Sequence, residues 1–248
     1  MSGDERPQGT RRRLDPLARG EMEVLGLTPN ASNYTFLVRL ADGGSSGGDG
    51  ETFAIYKPRA GETPLWDFPP GTLCLREVAA YKVSHAIGWP SVPPTVLREG
   101  PHGDGSVQIF VRFDPEQHYF TLRASRADDL MRVALFDAVV NNADRKSGHC
   151  LLDEGGHMWV IDHGVCFHAE PKLRTVIWDF AGEPIPEPLA ANLAAFAGRL
   201  SEEPLRAALA GLLEPLEVKT LHERTTDLLD SGRFPTPGLG RPYPWPPV

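Results

Sequence analysis

Apolar positions alternate in short runs through the first half of the chain and fall into helical spacing beyond it. Residues 22–27 and 34–40 are rich in apolar and β-branched side chains and are predicted strands, with 28–33 as the turn between them. A Gly/Ser-rich stretch, 42–50, reads as a flexible link to a third strand at 52–57. In that strand Phe53, Ile55 and Lys57 share one face and Ala54 and Tyr56 the other, so Lys57 is expected to point inward with apolar neighbours. Leu75, Ala79, Val83 and Ala86 follow helical spacing and predict a helix over 75–87. Before it, 58–73 carries Pro64, Pro69 and Pro70 with Trp66 and Phe68, too long and too apolar for a bare linker. Residues 92–97 and 107–113 predict a further strand pair around the glycine-rich turn 100–105.

The second half opens with a predicted helix, 128–140, that is apolar on nearly all sides and therefore buried. Asp137 is the exception in it, and a buried carboxylate must be hydrogen-bonded; backbone N–H groups of the following loop are the expected partners. The pattern breaks at Asn141-Asn142, whose side chains compete with the backbone and favour a loop, 143–149. Two short apolar runs, 150–152 and 158–161, flank Asp153-Glu154-Gly155-Gly156 and predict a hairpin. A proline-rich segment, 168–188, contains Trp178-Asp179-Phe180, and two Ala/Leu-rich helices are predicted at 189–213 and 215–229. The tail, 235–248, has polyproline character and is expected to pack back on the core. The predicted order is α+β: a polar leader (1–13), a small sheet-bearing lobe (14–113), a mainly helical lobe (114–230) and the proline-rich tail (231–248).

With 248 residues, 41% of them hydrophobic, the chain can fill a real core. A net charge of −8 argues against nucleic acid as a partner, while leaving room for a local basic pocket that binds nucleotide. Cys74, Cys150 and Cys166 are an odd number without CxxC spacing, so a secreted disulfide framework is not expected. No stretch is long and apolar enough for a membrane span, and a cytoplasmic location is expected.

Candidate chemistry concentrates around the hairpin. Asp144 lies in the loop before it, His149 five residues later, and Asp162 ends the second run as Asp-His-Gly. An Asp in a loop, a metal-capable residue five positions on, a hairpin and Asp-x-Gly is the spacing of a kinase's base, second metal ligand and first metal ligand. Taken singly, each piece also reads as a cap or a turn. Asp162 is the metal candidate.

NNADRKSGH and VIDHGVCF resemble the catalytic and metal loops of the phosphoinositide-kinase-like superfamily, which includes the HipA-type protein kinases, and the overall shape is similar to an actinobacterial kinase-like branch of it. The resemblance implies a two-lobed protein-kinase-like fold, ATP with Mg2+ or Mn2+, and transfer of the γ-phosphate to a hydroxyl of a protein, small metabolite or lipid. It implies Asp144 as the catalytic residue, with Lys146 beside it where the family has His, and Asp162 and His149 on metal, His149 standing where the family has Asn. Imidazole suits softer divalent ions than magnesium, so this departure bears on metal preference. REVAAY extends the resemblance, with Glu77 as the partner of Lys57 in the ion pair that holds the nucleotide phosphates. It further implies phosphate contacts from the first turn, at Ser32 and Asn33, and an adenine-receiving hinge near Val111 and Phe113.

Two other classes stay open. Lys146 and His149 motivate a nucleotide-binding pseudokinase that acts as an interaction module. His149, Cys150, Asp162, His163, Cys166 and His168 are all capable of binding zinc, as in a metal-dependent hydrolase, though without a recognised ligand spacing.

Overall fold

The computed structural model describes residues 16–28, 33–41, 51–89, 91–238 and 240–248. The chain divides into two compact units, residues 1–78 with 93–110, and residues 79–92 with 111–248.

The first unit carries strands β1 (Glu21–Leu27), β2 (Phe36–Ala41), β3 (Thr52–Pro58), β4 (Thr95–Gly100) and β5 (Gly103–Ile109). They form one antiparallel sheet in the order β1-β2-β3-β5-β4. Its core is Leu17, Val38, Leu40, Ala54, Tyr56 and Val107. That core corrects the expectation for Lys57. Alternation along β3 holds, but the buried face is Ala54 and Tyr56, and Phe53, Ile55 and Lys57 occupy the other, half-buried face. Both faces are apolar, and period-2 spacing does not say which of two apolar faces meets the core.

The last strand pair is also shifted. The strand predicted at 92–97 starts only at Thr95, because Pro93 and Pro94 have no N–H to give to a ladder. Its partner runs from Gly103 to Ile109 instead of 107–113, and the turn shrinks to Pro101-His102. Gly105 enters the ladder opposite Pro58, where a Cβ would lie 2.4 Å from the Lys57 carbonyl oxygen. Only glycine lets β5 close on β3 beside Lys57.

Helix α1 (Leu73–Ile87) begins in the first unit, and its residues from Ala79 onward belong to the second. Glu62 caps it from outside the helix, its carboxylate accepting the Cys74 amide at 2.9 Å.

In the second unit follow α2 (Tyr119–Leu122), α3 (Ala127–Val140), β6 (Cys150–Leu152), β7 (Met158–Val160), α4 (Glu187–Leu200), α5 (Leu205–Ala210) and α6 (Pro215–Ser231). α3 is the centre of this core and is buried without a break from Val133 to Val140. The β6–β7 hairpin is tied by Asp153, which accepts the His157 amide and the Trp159 indole N–H, both at 2.8 Å. The single helix predicted over 189–213 is two, α4 and α5, because Pro204 can neither donate to the helical ladder nor fit beside the preceding turn. No helix among the described residues is long and apolar enough to cross a membrane.

Candidate functional site

α3 stops where Asn141 adopts a left-handed conformation (φ 52°), which a short polar side chain tolerates better than most. Both asparagines then work on the loop. Asn141 Nδ2 donates to the carbonyls of His168 and Glu170, and its Oδ1 accepts the Lys172 amide. Asn142 Oδ1 accepts the Asp144 amide at 2.9 Å, an Asx turn that sets the direction of Asp144. Backbone bonds add to this: Arg145 N donates to Arg174 O, Arg174 N to Asn142 O and Val176 N to Arg145 O.

Beneath the loop lies a polar network of which the sequence singled out Asp137 alone. Arg145 and Asp137 are both fully buried, and the guanidinium meets the carboxylate through Nε (2.9 Å) and Nη2 (2.8 Å). Asn142 Nδ2 donates to the same carboxylate at 2.9 Å. The expected partners of Asp137, loop backbone N–H groups, are thus replaced by a guanidinium and an amide side chain. Burying a lone carboxylate is costly, and a cation with a forked donor geometry compensates it better than peptide N–H groups can. The remaining face of Arg145 is spent on the loop that bears Asp162. Nη1 donates to Ile161 O at 2.9 Å and Nη2 lies 2.8 Å from His163 Nε2, which must be the acceptor because arginine only donates. One guanidinium therefore grips the residues on both sides of Asp162 while its own backbone carries Asp144 one residue upstream. The cue was available: a lone acid in an apolar helix and an arginine in the loop that follows.

Asp144 and Asp162 are the two acids this scaffold presents. Asp144 is about one-third exposed, and its carboxyl is pushed up to about 6. Desolvation is the main cause and the charge of Asp162 adds to it, against the pull of Lys146 and Arg145. Lys146 Nζ lies 3.4 Å from Asp144 Oδ2. Asp162 itself is half exposed and has φ 63°. The Lys146 amide donates to His149 Nδ1 at 3.4 Å, so the proton of a neutral ring sits on Nε2, 3.4 Å from Asp162 Oδ2. Placed this way, His149 is a donor to that carboxylate; ligation of a cation through Nε2 requires release of the proton.

Of the residues expected to meet the nucleotide, Lys57 and Glu77 form an ion pair through Nζ and Oε1. The Glu77 side chain is 4% exposed and that of Lys57 22%, so the partly solvated face of β3 supplies the cation and the helix a buried counter-charge. Asn33 Oδ1 accepts the Thr63 amide at 2.7 Å. Ser32 lies outside the described residues. Val111 and Phe113 follow the end of β5, and Phe113 bridges to Asp153.

The zinc-type set does not assemble: among the described residues no three of His, Cys, Asp and Glu converge. Cys150 and Cys166 are buried in the core, and burial pushes the Cys150 thiol up to about 12, far from the thiolate a metal needs. A magnesium-type ion makes a smaller demand, one or two protein ligands with nucleotide phosphates completing its shell. Asp162 is a half-exposed carboxylate of that kind.

No family model matches the sequence. The solved structures it resembles include a Helicobacter pylori proinflammatory kinase CtkA (TM-score 0.53, 11% identity, 88% of this chain and 94% of that one). The Golgi casein kinase with Mn/ADP bound is another (TM-score 0.57, 15% identity, 92% and 76%). These likenesses establish a kinase fold, α+β with an antiparallel sheet and a mainly helical part. Phosphatidylinositol 4-kinase gamma 4 of Oryza sativa subsp. japonica is 31% identical over 147 residues, 52% of this chain but only 26% of that protein. Protein Rv2133c of Mycobacterium tuberculosis is 41% identical over 93% of each chain. On that likeness along its length, the chain belongs to the family of Protein Rv2133c, an actinobacterial family with the kinase fold.

Proposed function

We propose that the protein is an ATP-dependent kinase that transfers the γ-phosphate to a hydroxyl, with protein or small-metabolite hydroxyls ranked above phosphoinositide. One observation carries the reading. Asp144 and Asp162 stand on separate loops that a single buried guanidinium ties together, and the charge of one helps raise the other toward neutrality. A carboxylate pushed up to about 6 is still ionised at pH 7 yet more basic than an ordinary one, which suits a group that takes a proton from an acceptor hydroxyl. In this reading Asp144 orients the hydroxyl and receives its proton. Lys146 offsets negative charge beside it. Lys57, held by Glu77, binds nucleotide phosphate, with Ser32 and Asn33 in the covering turn and the 111–113 segment against adenine. Asp162, with His149, would hold a divalent cation, whose chemistry is to neutralise charge on the β- and γ-phosphates.

The division of roles is tested with labelled ATP and calorimetry. Asp162→Asn is expected to lose the metal-dependent part of ATP binding, at least tenfold in affinity, whereas Asp144→Ala keeps ATP affinity and stops transfer. Equal loss of affinity in both variants would contradict the assignment. Lys57→Met is expected to raise the Kd for ATP at least tenfold with the far-UV circular dichroism unchanged; an unaltered Kd removes Lys57 from the site. His149→Asn, which keeps a hydrogen-bonding side chain without the imidazole, is expected to shift metal preference from manganese toward magnesium without abolishing transfer. The contrary result is an unchanged manganese-to-magnesium activity ratio.

The pseudokinase reading has one observation in its favour, the Lys146 ammonium that neutralises Asp144. It is the better description if the wild-type protein binds ATP yet supports neither hydrolysis nor transfer with either metal, and His149→Asn gains activity.

A further inference from the structure

The tail returns to the loop that bears Asp144. Pro247 O accepts the Ser147 amide at 2.9 Å, three residues beyond Asp144. Pro242 O accepts the Thr175 amide at 3.0 Å and the Trp178 indole N–H at 3.2 Å. Pro244 is buried, and Arg241 stacks over Trp245, its guanidinium carbon 5.4 Å from the ring centroid. Residues 174–176 already run beside the catalytic loop through Arg145, so the tail lies against both segments at once.

All three of these bonds run one way. The loops donate and the tail accepts through the carbonyls of Pro242 and Pro247, residues that have no N–H of their own to return. Nothing in them depends on the tail's side chains, so any extended polypeptide could offer the same carbonyls. The fit is also incomplete. Ser147 is fully buried, its amide satisfied by the tail, but its hydroxyl finds no partner among the described residues. A buried hydroxyl left unpaired disfavours the docked state, and a polar occupant could satisfy it.

We propose that Ser147, Thr175 and Trp178 form a docking track for an extended polypeptide acceptor, and that residues 241–248 fill this track in the resting protein and must leave it for the acceptor to reach Asp144. This rests on the kinase reading and names its acceptor class as polypeptide. The tail's carbonyls stand in for those of the acceptor's main chain.

The test keeps the full chain and measures the track separately from the chemistry. By amide hydrogen exchange of the wild type, Ser147 and Thr175, bonded to the tail, are expected to exchange at least 100-fold faster than Arg145 and Val176, bonded within the loops. All four exchanging together, only on global unfolding, overturns a separately lifting tail. Pro244→Asp places a carboxylate where the tail is buried and is expected to remove the remaining protection of Ser147 and Thr175. If that variant fails to fold, Arg241→Ala with Trp245→Ala, which removes the tail's own stack and leaves the track intact, carries the same readouts. Transfer from labelled ATP to a mixed Ser/Thr/Tyr polypeptide is then expected to rise at least tenfold through a lower acceptor KM, with the KM for ATP unchanged. A peptide of residues 241–248 added in trans should compete with the acceptor. Undocking without a rise, or a rise only with phosphoinositide vesicles, overturns the proposal. Should neither chain transfer phosphate while exchange and peptide binding behave as expected, the kinase reading fails and the docking track stands.

Discussion

Asp144→Asn is expected to lose at least 100-fold in transfer rate and, in the same protein, to melt about 3–6 °C higher at pH 7.5. The loss follows from the proton: general-base groups contribute roughly 100- to 10,000-fold, and an amide cannot act as one. The gain follows from the carboxyl's elevated value of about 6. A raised carboxylate means that the folded protein binds a proton more tightly than the unfolded chain, so stability falls as pH climbs from the unfolded value near 4 through 6 and stays reduced above that. A shift of about two units corresponds to roughly 3 kcal/mol. One-third exposure screens it to about 1–2 kcal/mol. For a chain of this size that is about 3–6 °C in Tm. The signature is its pH window: the gain in Tm, measured without nucleotide and with chelator, should be complete above pH 6.5 and vanish near pH 4. A variant as stable as wild type at every pH would mean that Asp144 carries no desolvation cost.

Asp137→Ala should be the most damaging substitution to stability, at about 3–5 kcal/mol, because it leaves the Arg145 guanidinium fully buried without its counter-charge. Denaturant midpoints report this directly. The double variant Asp137→Leu with Arg145→Met separates packing from positioning. Replacing both partners with apolar side chains is often close to neutral, so most of the lost stability should return. Transfer should not return, since the Met side chain cannot hold Ile161 O or His163 and the Asp162 loop loses its tie to the Asp144 loop. Recovery of transfer along with stability would reduce Arg145 to a structural ion pair.

Much of this arrangement could be read from the chain because its cues are local. The hairpin 150–160 and the break after Val140 follow from short-range pattern and turn chemistry, and the structure shows both. What could not be read depends on partners far away in sequence. The side of β3 that meets the core is decided by Leu17 and Val107, not by β3 itself. Arg145, eight residues from Asp137, was within reach of a local reading, but the other partners of Arg145, Ile161 and His163, lie beyond the hairpin. The tail was expected to pack back, but its landing place on Ser147 and Thr175 is carried by backbone amides, which leave no residue-type signal.

The left-handed backbone at Asp162 narrows what that position can become before any chemistry is considered. Glycine adopts such a conformation freely, Asn and Asp tolerate it, and most other residues incur strain of about 1–2 kcal/mol. In a library of all substitutions at 162, protein abundance should favour Asp, Asn and Gly, while activity should favour Asp alone. Alanine there would mix backbone strain with the loss of charge, so its effect would overstate the chemistry. A lineage that abandoned phosphotransfer would be expected to drift first to Asn or Gly at this position, leaving a recognisable scar in an otherwise well-folded relative.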